Sequence, residues 1–320
     1  MKYTGKHFLL IAGGGTLGTY VSKELLRLGG SVDVICPEEK ISDDPNLKFH
    51  QALVSRELLD RLFAETRYDG IVSFIHYKDP EAYKPVYSHL HEHTGHVIFL
   101  SSYRVYAKSR EPITEESPRL YDVLRDRDFL ETDHYAIPKT VVEDYLRNER
   151  KGEHWTIVRP VISFSARRLD LVLYSGTTIL KAAENHEPLL LPETLKNYNA
   201  GLDWAGNSGR LIANLFLEPK AFGETFTVYS GHNATWGDAA RAYEELTGVE
   251  IRWVSEAEYE RTLPLDTNTN IRNMWFRDRI YNRKIDASKV LSVTGLTQKD
   301  FKSIREGIQT ELDVLNWKKP

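Results

Sequence analysis

Gly13-Gly14-Gly15-Thr16-Leu17-Gly18 constrains this chain more than any other stretch. It lies between a short, nearly continuous apolar run, His7 to Ala12, and a segment from Thr16 to Leu28 in which Leu17, Val21, Leu25 and Leu28 recur at helical spacing. Glycines at a strand-to-helix junction allow a tight turn and let backbone N–H groups approach a pyrophosphate. The helix start behind them adds partial positive charge. Gly18 would let the helix pack closely on the sheet. An ordinary glycine-rich turn is spelled with the same letters, so the flanking strand and helix give the motif its meaning. On that basis Gly13, Gly14, Gly15, Thr16, Leu17 and Gly18 are candidate cofactor-binding residues.

The strand–helix alternation continues. Val32–Cys36, Leu47–His50, Gly70–His76, Val97–Ser101 and Thr156–Arg159, ended by Pro160, read as strands. Ser55–Ala64, Pro80–His93 and Tyr135–Arg147 read as helices. Such alternation predicts an α/β fold, a doubly wound parallel sheet of Rossmann type. The second half is less regular, with a strand at Phe226–Tyr229, a helix at Thr235–Thr247 and a helix or helix pair over Gln298–Leu315. The expected division is an NAD(P)-binding domain over 1–162 and a smaller, mainly substrate-binding lobe over 163–320. A segment near 199–230 is expected to return to the first domain. No linker or repeat marks a boundary.

The 320 residues carry 42 Lys+Arg and 46 Asp+Glu, a net charge of −4, which gives no support to general nucleic-acid or membrane-surface binding. Cys36 is the only cysteine, so no internal disulfide or CxxC motif exists, in keeping with a cytoplasmic protein. The N-terminal apolar run is too short to span a membrane.

After the second strand the chain reads Cys36-Pro37-Glu38-Glu39-Lys40. An acidic residue here suits the ribose of NAD, and a basic one the extra phosphate of NADP. Pro37 and Glu38 favour NAD, with Lys40 keeping NADP open. Further on, Tyr135-Ala136-Ile137-Pro138-Lys139 sets a phenol and an ammonium one helical turn apart. A free phenol, with a pKa near ~10, is a poor base at neutral pH, and a neighbouring cation lowers that value. Tyr135 is then a candidate acid/base and Lys139 its partner. Pro138 is tolerable only if the helix starts just before it, with Asp133 as its cap. Ser102, just beyond the strand Val97–Ser101, stands where ligands of such sheets bind and can orient a substrate oxygen.

These segments, in this order, resemble the extended short-chain dehydrogenase/reductases, the NAD-dependent epimerase/dehydratase group. The glycine loop, Ser101-Ser102-Tyr103-Arg104-Val105-Tyr106, Tyr135-xxx-Lys139, Val158-Arg159-Pro160, Glu111-Pro112-Ile113-Thr114-Glu115 and Ile285-Asp286-Ala287-Ser288-Lys289 all contribute, over nearly the whole chain. The resemblance implies that Ser102 is the catalytic hydroxyl and Tyr135 the acid/base. Lys139 would bind the nicotinamide ribose, with Ser101 and Pro160 also at the cofactor. It implies a substrate side formed by Ser102, Arg104 and Arg279, with Arg279 matching an arginine that holds diphosphate in members acting on nucleotide-sugars. A homodimer is a further implication. The chain departs from the pattern in three places: Ala12 stands at the first loop glycine, Leu53 at an adenine-contacting Asp, and Phe74-Ile75-His76-Tyr77 at the end of strand four.

Other clusters read more simply. His89, His91, His93 and His96 lack a well-placed carboxylate, so no metal site is expected. Arg125-Asp126-Arg127-Asp128 reads as a self-paired surface loop. Arg272, Arg277, Arg279 and Arg283 beside Trp275, Phe276 and Tyr281 could bind nucleic acid, which the net charge disfavours. The expected function is hydride transfer at a secondary alcohol or ketone, by an epimerase or reductase acting on a sugar or nucleotide-sugar. The alternative is a non-catalytic NAD(P)-sensing or RNA-binding protein on the same fold.

Overall fold

The computed structural model describes residues 1–320. The strands are β1 His7–Ile11, β2 Ser31–Cys36, β3 Leu47–Gln51, β4 Gly70–Ser73, β5 Val97–Leu100, β6 Trp155–Pro160, β7 Ile162–Phe164, β8 Asp170–Leu171, β9 Tyr174–Ser175, β10 Leu189–Pro192, β11 Leu202–Trp204, β12 Glu224–Val228 and β13 Ile251–Val254. The helices are α1 Thr16–Arg27, α2 Arg56–Glu65, α3 Tyr83–Glu92, α4 Leu120–Val123, α5 Arg127–Thr132, α6 Ala136–Glu149, α7 Gly176–Glu184, α8 Ala205–Leu215, α9 Trp236–Thr247, α10 Glu256–Glu260, α11 Thr269–Met274, α12 Ser288–Thr294 and α13 Ile304–Val314.

Seven strands form one sheet in the order β12-β6-β5-β4-β1-β2-β3, with every pairing parallel. The strands are Val/Ile/Leu-rich because both faces are covered. On one face Phe8, Leu10, Val32, Val34, Val72, Ile98 and Val158 join the larger core; on the other Leu9, Ile11, Ile35, Ile71, Phe99 and Ile157 join a second core with α2 and α3. The order reverses between β1 and β4, and the glycine loop leaves β1 at that switch point, where open α/β sheets bind their ligands. The doubly wound Rossmann fold expected from the alternation is the observed one.

Three boundaries differ from the sequence reading. The fourth strand stops at Ser73 rather than running to His76, and Phe74 to Tyr77 leave the sheet at its carboxyl edge. Pro160 does not end its strand from outside: as the last residue of β6 it pairs with Val228. The segment Pro80–His93 is a single 3₁₀ turn, Pro80–Ala82, followed by α3.

Helix α8, Ala-Gly-Asn-Ser-Gly-Arg-Leu-Ile-Ala-Asn-Leu, is amphipathic, and Leu211, Ile212 and Leu215 are buried. Its small residues serve close approach to α1. A Cβ on Gly209 would lie 2.6 Å from the Cβ of Tyr20, so only glycine admits this contact. The helix therefore lies against the first half of the chain, and β12 after it completes the sheet edge beside β6.

Candidate active site

The glycine loop is shaped by contacts that forbid side chains. A Cβ on Gly18 would fall 2.2 Å from the carbonyl oxygen of Gly13, and one on Gly13 2.7 Å from the Cβ of Leu10. Ala12, in place of a glycine, takes φ +55° and accepts left-handed backbone with a methyl group, at a cost of about 1 kcal/mol. Gly15 precedes α1 and no side chain caps that helix. The first-turn N–H groups of this 12-residue helix are thus free to meet an anion at the mouth of the loop.

A cleft of about 520 Å³ runs from this loop across the carboxyl ends of β1, β4, β5 and β6. Ala12, Gly15, Thr16, Leu17 and Gly18 line one end; Ser101, Ser102, Arg104, Tyr135 and Pro160 line the middle. Arg168, Asn270, Met274 and Arg279 close it from the second half of the chain. The loop, the serines and Tyr135, far apart in sequence, therefore border a single space. Gly13, Gly14, Pro37, Glu38 and Lys139 stand behind its lining.

Asp133 orients the middle of the cleft. Its Oδ1 accepts the backbone N–H groups of Tyr135, Ala136 and Ile137 at 3.0, 2.5 and 3.1 Å, capping α6 as the sequence predicts. Pro138 then falls in the first turn, where its missing N–H costs nothing. One turn into α6, Lys139 donates through Nζ to the Leu100 carbonyl oxygen at 2.5 Å and lies 5.3 Å from the Tyr135 ring centre. The Arg104 guanidinium carbon lies 4.7 Å from the same ring centre. Burial alone would raise the Tyr135 phenol. The Lys139 ammonium and then the Arg104 guanidinium outweigh it, with a smaller contribution from the Ser102 hydroxyl, and hold the phenol below its ordinary value. Burial lowers the Lys139 ammonium too, against the pull of Tyr135.

Ser101 and Ser102 part ways. Ser102 accepts the Arg104 N–H at 3.2 Å and lines the cleft. Ser101 donates its hydroxyl to Glu143 at 2.6 Å, so its side chain has no proton left to give a ligand. Glu143 in turn takes Arg159 Nε at 2.8 Å and Nη2 at 2.5 Å, both side chains being 0% exposed. This pair welds α6 to β6 behind the site. Glu143 carries no motif of its own, and only its spacing of four from Lys139 hints that it shares that face.

Glu38 sits at the end of β2 against the loop: a Cβ on Gly14 would lie 2.9 Å from its Oε2. Lys40 and Arg167 each donate to the Gly14 carbonyl oxygen at 2.6 Å, and Arg167 stands 3.5 Å from Glu38. Leu53 is 79% exposed. His76, beyond β4, packs its ring 5.1 Å from that of Tyr135 and meets the His134 carbonyl oxygen at 2.5 Å. Sequence order gave no sign of that contact.

Arg279 borders the cleft, but its guanidinium is already occupied. It bonds to Asp278, to the Val172 carbonyl oxygen at 2.5 Å and to Asp170 at 3.5 Å. It is therefore not a free clamp for a diphosphate. The other arginines of that stretch are paired as well: Arg272 with Asp128 at 2.7 Å, Arg277 with Asp126 at 2.5 Å and Arg283 with Asp278 at 3.3 Å. Asp126 and Asp128 thus bridge to the later segment rather than to their own loop, and the aromatic–basic stretch is internally neutralised. Among the histidines, His96 is buried with Nε2 2.8 Å from Thr156 Oγ1. One ligand atom each of His89, Glu92 and His93 lies within 4.8 Å of the others, so a carboxylate does stand near that pair.

No family model and no curated protein matches the chain. Solved structures match in fold. An epimerase from Methanothermobacter thermautotrophicus superposes with a TM-score of 0.71 at 16% identity, covering 98% of this chain and 93% of that one. The UDP-glucose 4-epimerase of Thermotoga maritima, solved with UDP-glucose, gives 0.67 at 15% identity over 97% and 98%. The Bordetella bronchiseptica enzyme WbmG, in complex with NAD and UDP, gives 0.68 at 17% identity over 97% and 95%. The terminal R domain of the myxalamid biosynthetic pathway gives 0.68 at 16% identity over 98% and 92%. The fold is therefore the one these epimerases and this R domain share, as the ordered motifs imply. No helix is long and apolar enough to cross a membrane.

Proposed function

We propose that this chain is an NAD(P)-dependent oxidoreductase or epimerase acting at a secondary alcohol or ketone, with Tyr135 as acid/base. The observation that carries this reading is the placement of Tyr135 in the cleft that begins at the glycine loop, its ring centre 5.3 Å from the Lys139 ammonium and 4.7 Å from the Arg104 guanidinium carbon, two cations that lower the phenol. A depressed phenol at a ligand-binding edge is matched to proton exchange near neutral pH.

The residues present fit a dinucleotide. Gly15, Thr16, Leu17 and Gly18, at the uncapped start of α1, would receive its pyrophosphate; Glu38 would meet the adenosine ribose of NAD, and Lys139 the nicotinamide ribose. Lys40 and Arg167 beside Glu38 leave NADP open. When bound, the nicotinamide supplies the hydride acceptor or donor. The chain's own part is the proton. Ser102 holds the substrate oxygen. Tyr135 takes its proton as the carbinol carbon is oxidised and returns one as a ketone is reduced. What similar structures hold, UDP-glucose in one and UDP in another, supports a carbohydrate-derived substrate.

The test is Tyr135→Phe, assayed for NADH- and NADPH-dependent reduction over a panel of ketones and keto-sugars, with NADH binding followed by fluorescence. Loss of general acid/base catalysis lowers kcat by ~10²–10⁴-fold, and NADH affinity is expected to hold. Full turnover by Tyr135→Phe on a substrate of the wild type would refute the assignment.

A further inference from the structure

Arg104 is a largely buried cation held only by two long ion pairs, with no hydrogen bond from its guanidinium to the protein. Its side chain is 13% exposed, yet none of its guanidinium N–H groups reaches a protein acceptor within hydrogen-bond distance. The nearest carboxylate oxygens are Asp133 Oδ2 at 3.7 Å and Asp278 Oδ2 at 3.9 Å. Both acids have nearer partners. Asp133 caps α6 through its other oxygen, and Asp278 is held by Arg279, by Arg283 and by the Tyr103 hydroxyl at 2.7 Å. Arg159 and Arg279, by contrast, are hydrogen-bonded at short range: Arg159 grips Glu143, and Arg279 bonds to Asp278 and the Val172 carbonyl oxygen. Withdrawing a guanidinium from water without replacing its hydrogen bonds is costly. The vacant fork faces the cleft.

Its position limits what can fill it. Arg104 follows Ser102 by two residues and stacks on Tyr135, so its partner must sit beside the atoms that react. The fork of a guanidinium matches a planar, two-oxygen anion. We propose, resting on the functional reading above, that the substrate carries a carboxylate on the reacting carbinol carbon or the carbon next to it, and that Arg104 binds this group. The substrate class is then a hydroxy or keto acid, sugar acids included, rather than a neutral sugar ring. The same ion pair would draw some of the guanidinium charge away from Tyr135, so substrate binding and the acidity of the phenol are coupled.

The test uses the full chain saturated with NADH and follows cofactor fluorescence. Two probe pairs differ only in charge: D-glucuronate against D-glucuronamide, and oxamate against oxamide. A charge-assisted bidentate contact predicts that the acid of at least one pair binds about ten- to a hundredfold tighter than its amide. Arg104→Met is expected to erase that preference, weakening acid binding more than amide binding, and Arg104→Lys to restore it in part. The melting temperature of each variant confirms folding. Acid and amide binding alike in both pairs, or an acid preference that survives in Arg104→Met, would overturn the proposal. A wild type that fails to bind NADH at all would instead sink the functional reading, and the carboxylate proposal with it.

Discussion

Tyr135 sits between opposing influences, and its titration should show them. Burial raises the phenol, while Lys139 and Arg104 lower it further than burial raises it. Alcohol oxidation needs the phenolate, so its kcat is expected to rise with pH and level off through an inflection below that of a free phenol, near ~10. Removing a neighbouring positive charge favours the neutral phenol. Arg104→Met should therefore move the inflection to higher pH, which a kcat–pH profile at saturating substrate would record. Much of this group was legible in the sequence: Tyr135, Lys139, Ser102 and the Asp133 cap follow from local spacing and chain order. The difference between Arg104 and Arg279 was not. Both are arginines beside the same cleft, but Asp278 and Asp170 saturate one of them, and those pairings appear only once distant segments meet. His76 escaped notice for the same reason, since its contact with Tyr135 depends on β4 ending early.

Helix α6 carries the proposed chemistry and is anchored by the Glu143–Arg159 pair. Removing one member leaves an uncompensated buried charge, so Glu143→Ala is expected to cost about 3–5 kcal/mol in unfolding free energy, read by urea denaturation. The sheet has a second buried anchor. Asp33 of β2 accepts the Tyr68 hydroxyl at 2.6 Å and lies 3.3 and 3.2 Å from His7 and His50. Burial would raise this carboxyl, but hydrogen bonds from His50, His7 and Tyr68 hold it far below the usual carboxylate range. A depressed carboxyl contributes stability that is present above its unfolded pKa, near ~4, and is lost as pH falls toward the folded value. Asp33→Asn is therefore expected to flatten the acid side of a plot of Tm against pH and to lower Tm at neutral pH. The strands around Asp33 were readable as apolar runs. Helix α8 was not, because Gly206 and Gly209 are poor helix formers, and the close contact that Gly209 makes with Tyr20 of α1 appears only in the fold.

The whole molecule is organised around the switch point of a seven-stranded parallel sheet, with the glycine loop and the Tyr135 helix on either side of one cleft. That arrangement follows from the alternation and from the order of motifs. The far wall, with Arg168, Asn270 and Met274, does not, since the second half of the chain folds into many short pieces whose sequence carries no motif that places them at the cleft. The central claim is that this cleft receives a dinucleotide at the loop. Gly15 offers a direct way to test it, because a Cβ there meets nothing within 4 Å and its backbone is extended, at φ −84°. Gly15→Asp should fold as well as the wild type, or slightly better through capping of α1. It would also place a carboxylate where the pyrophosphate must lie. The decisive measurement is NADH affinity by calorimetry for the two proteins, with melting temperature as the control. The account predicts binding by the wild type and a loss of at least about tenfold in Gly15→Asp, the worth of one like-charge contact in a partly desolvated site. Equal affinity in the two proteins, or no binding by the wild type, would contradict it.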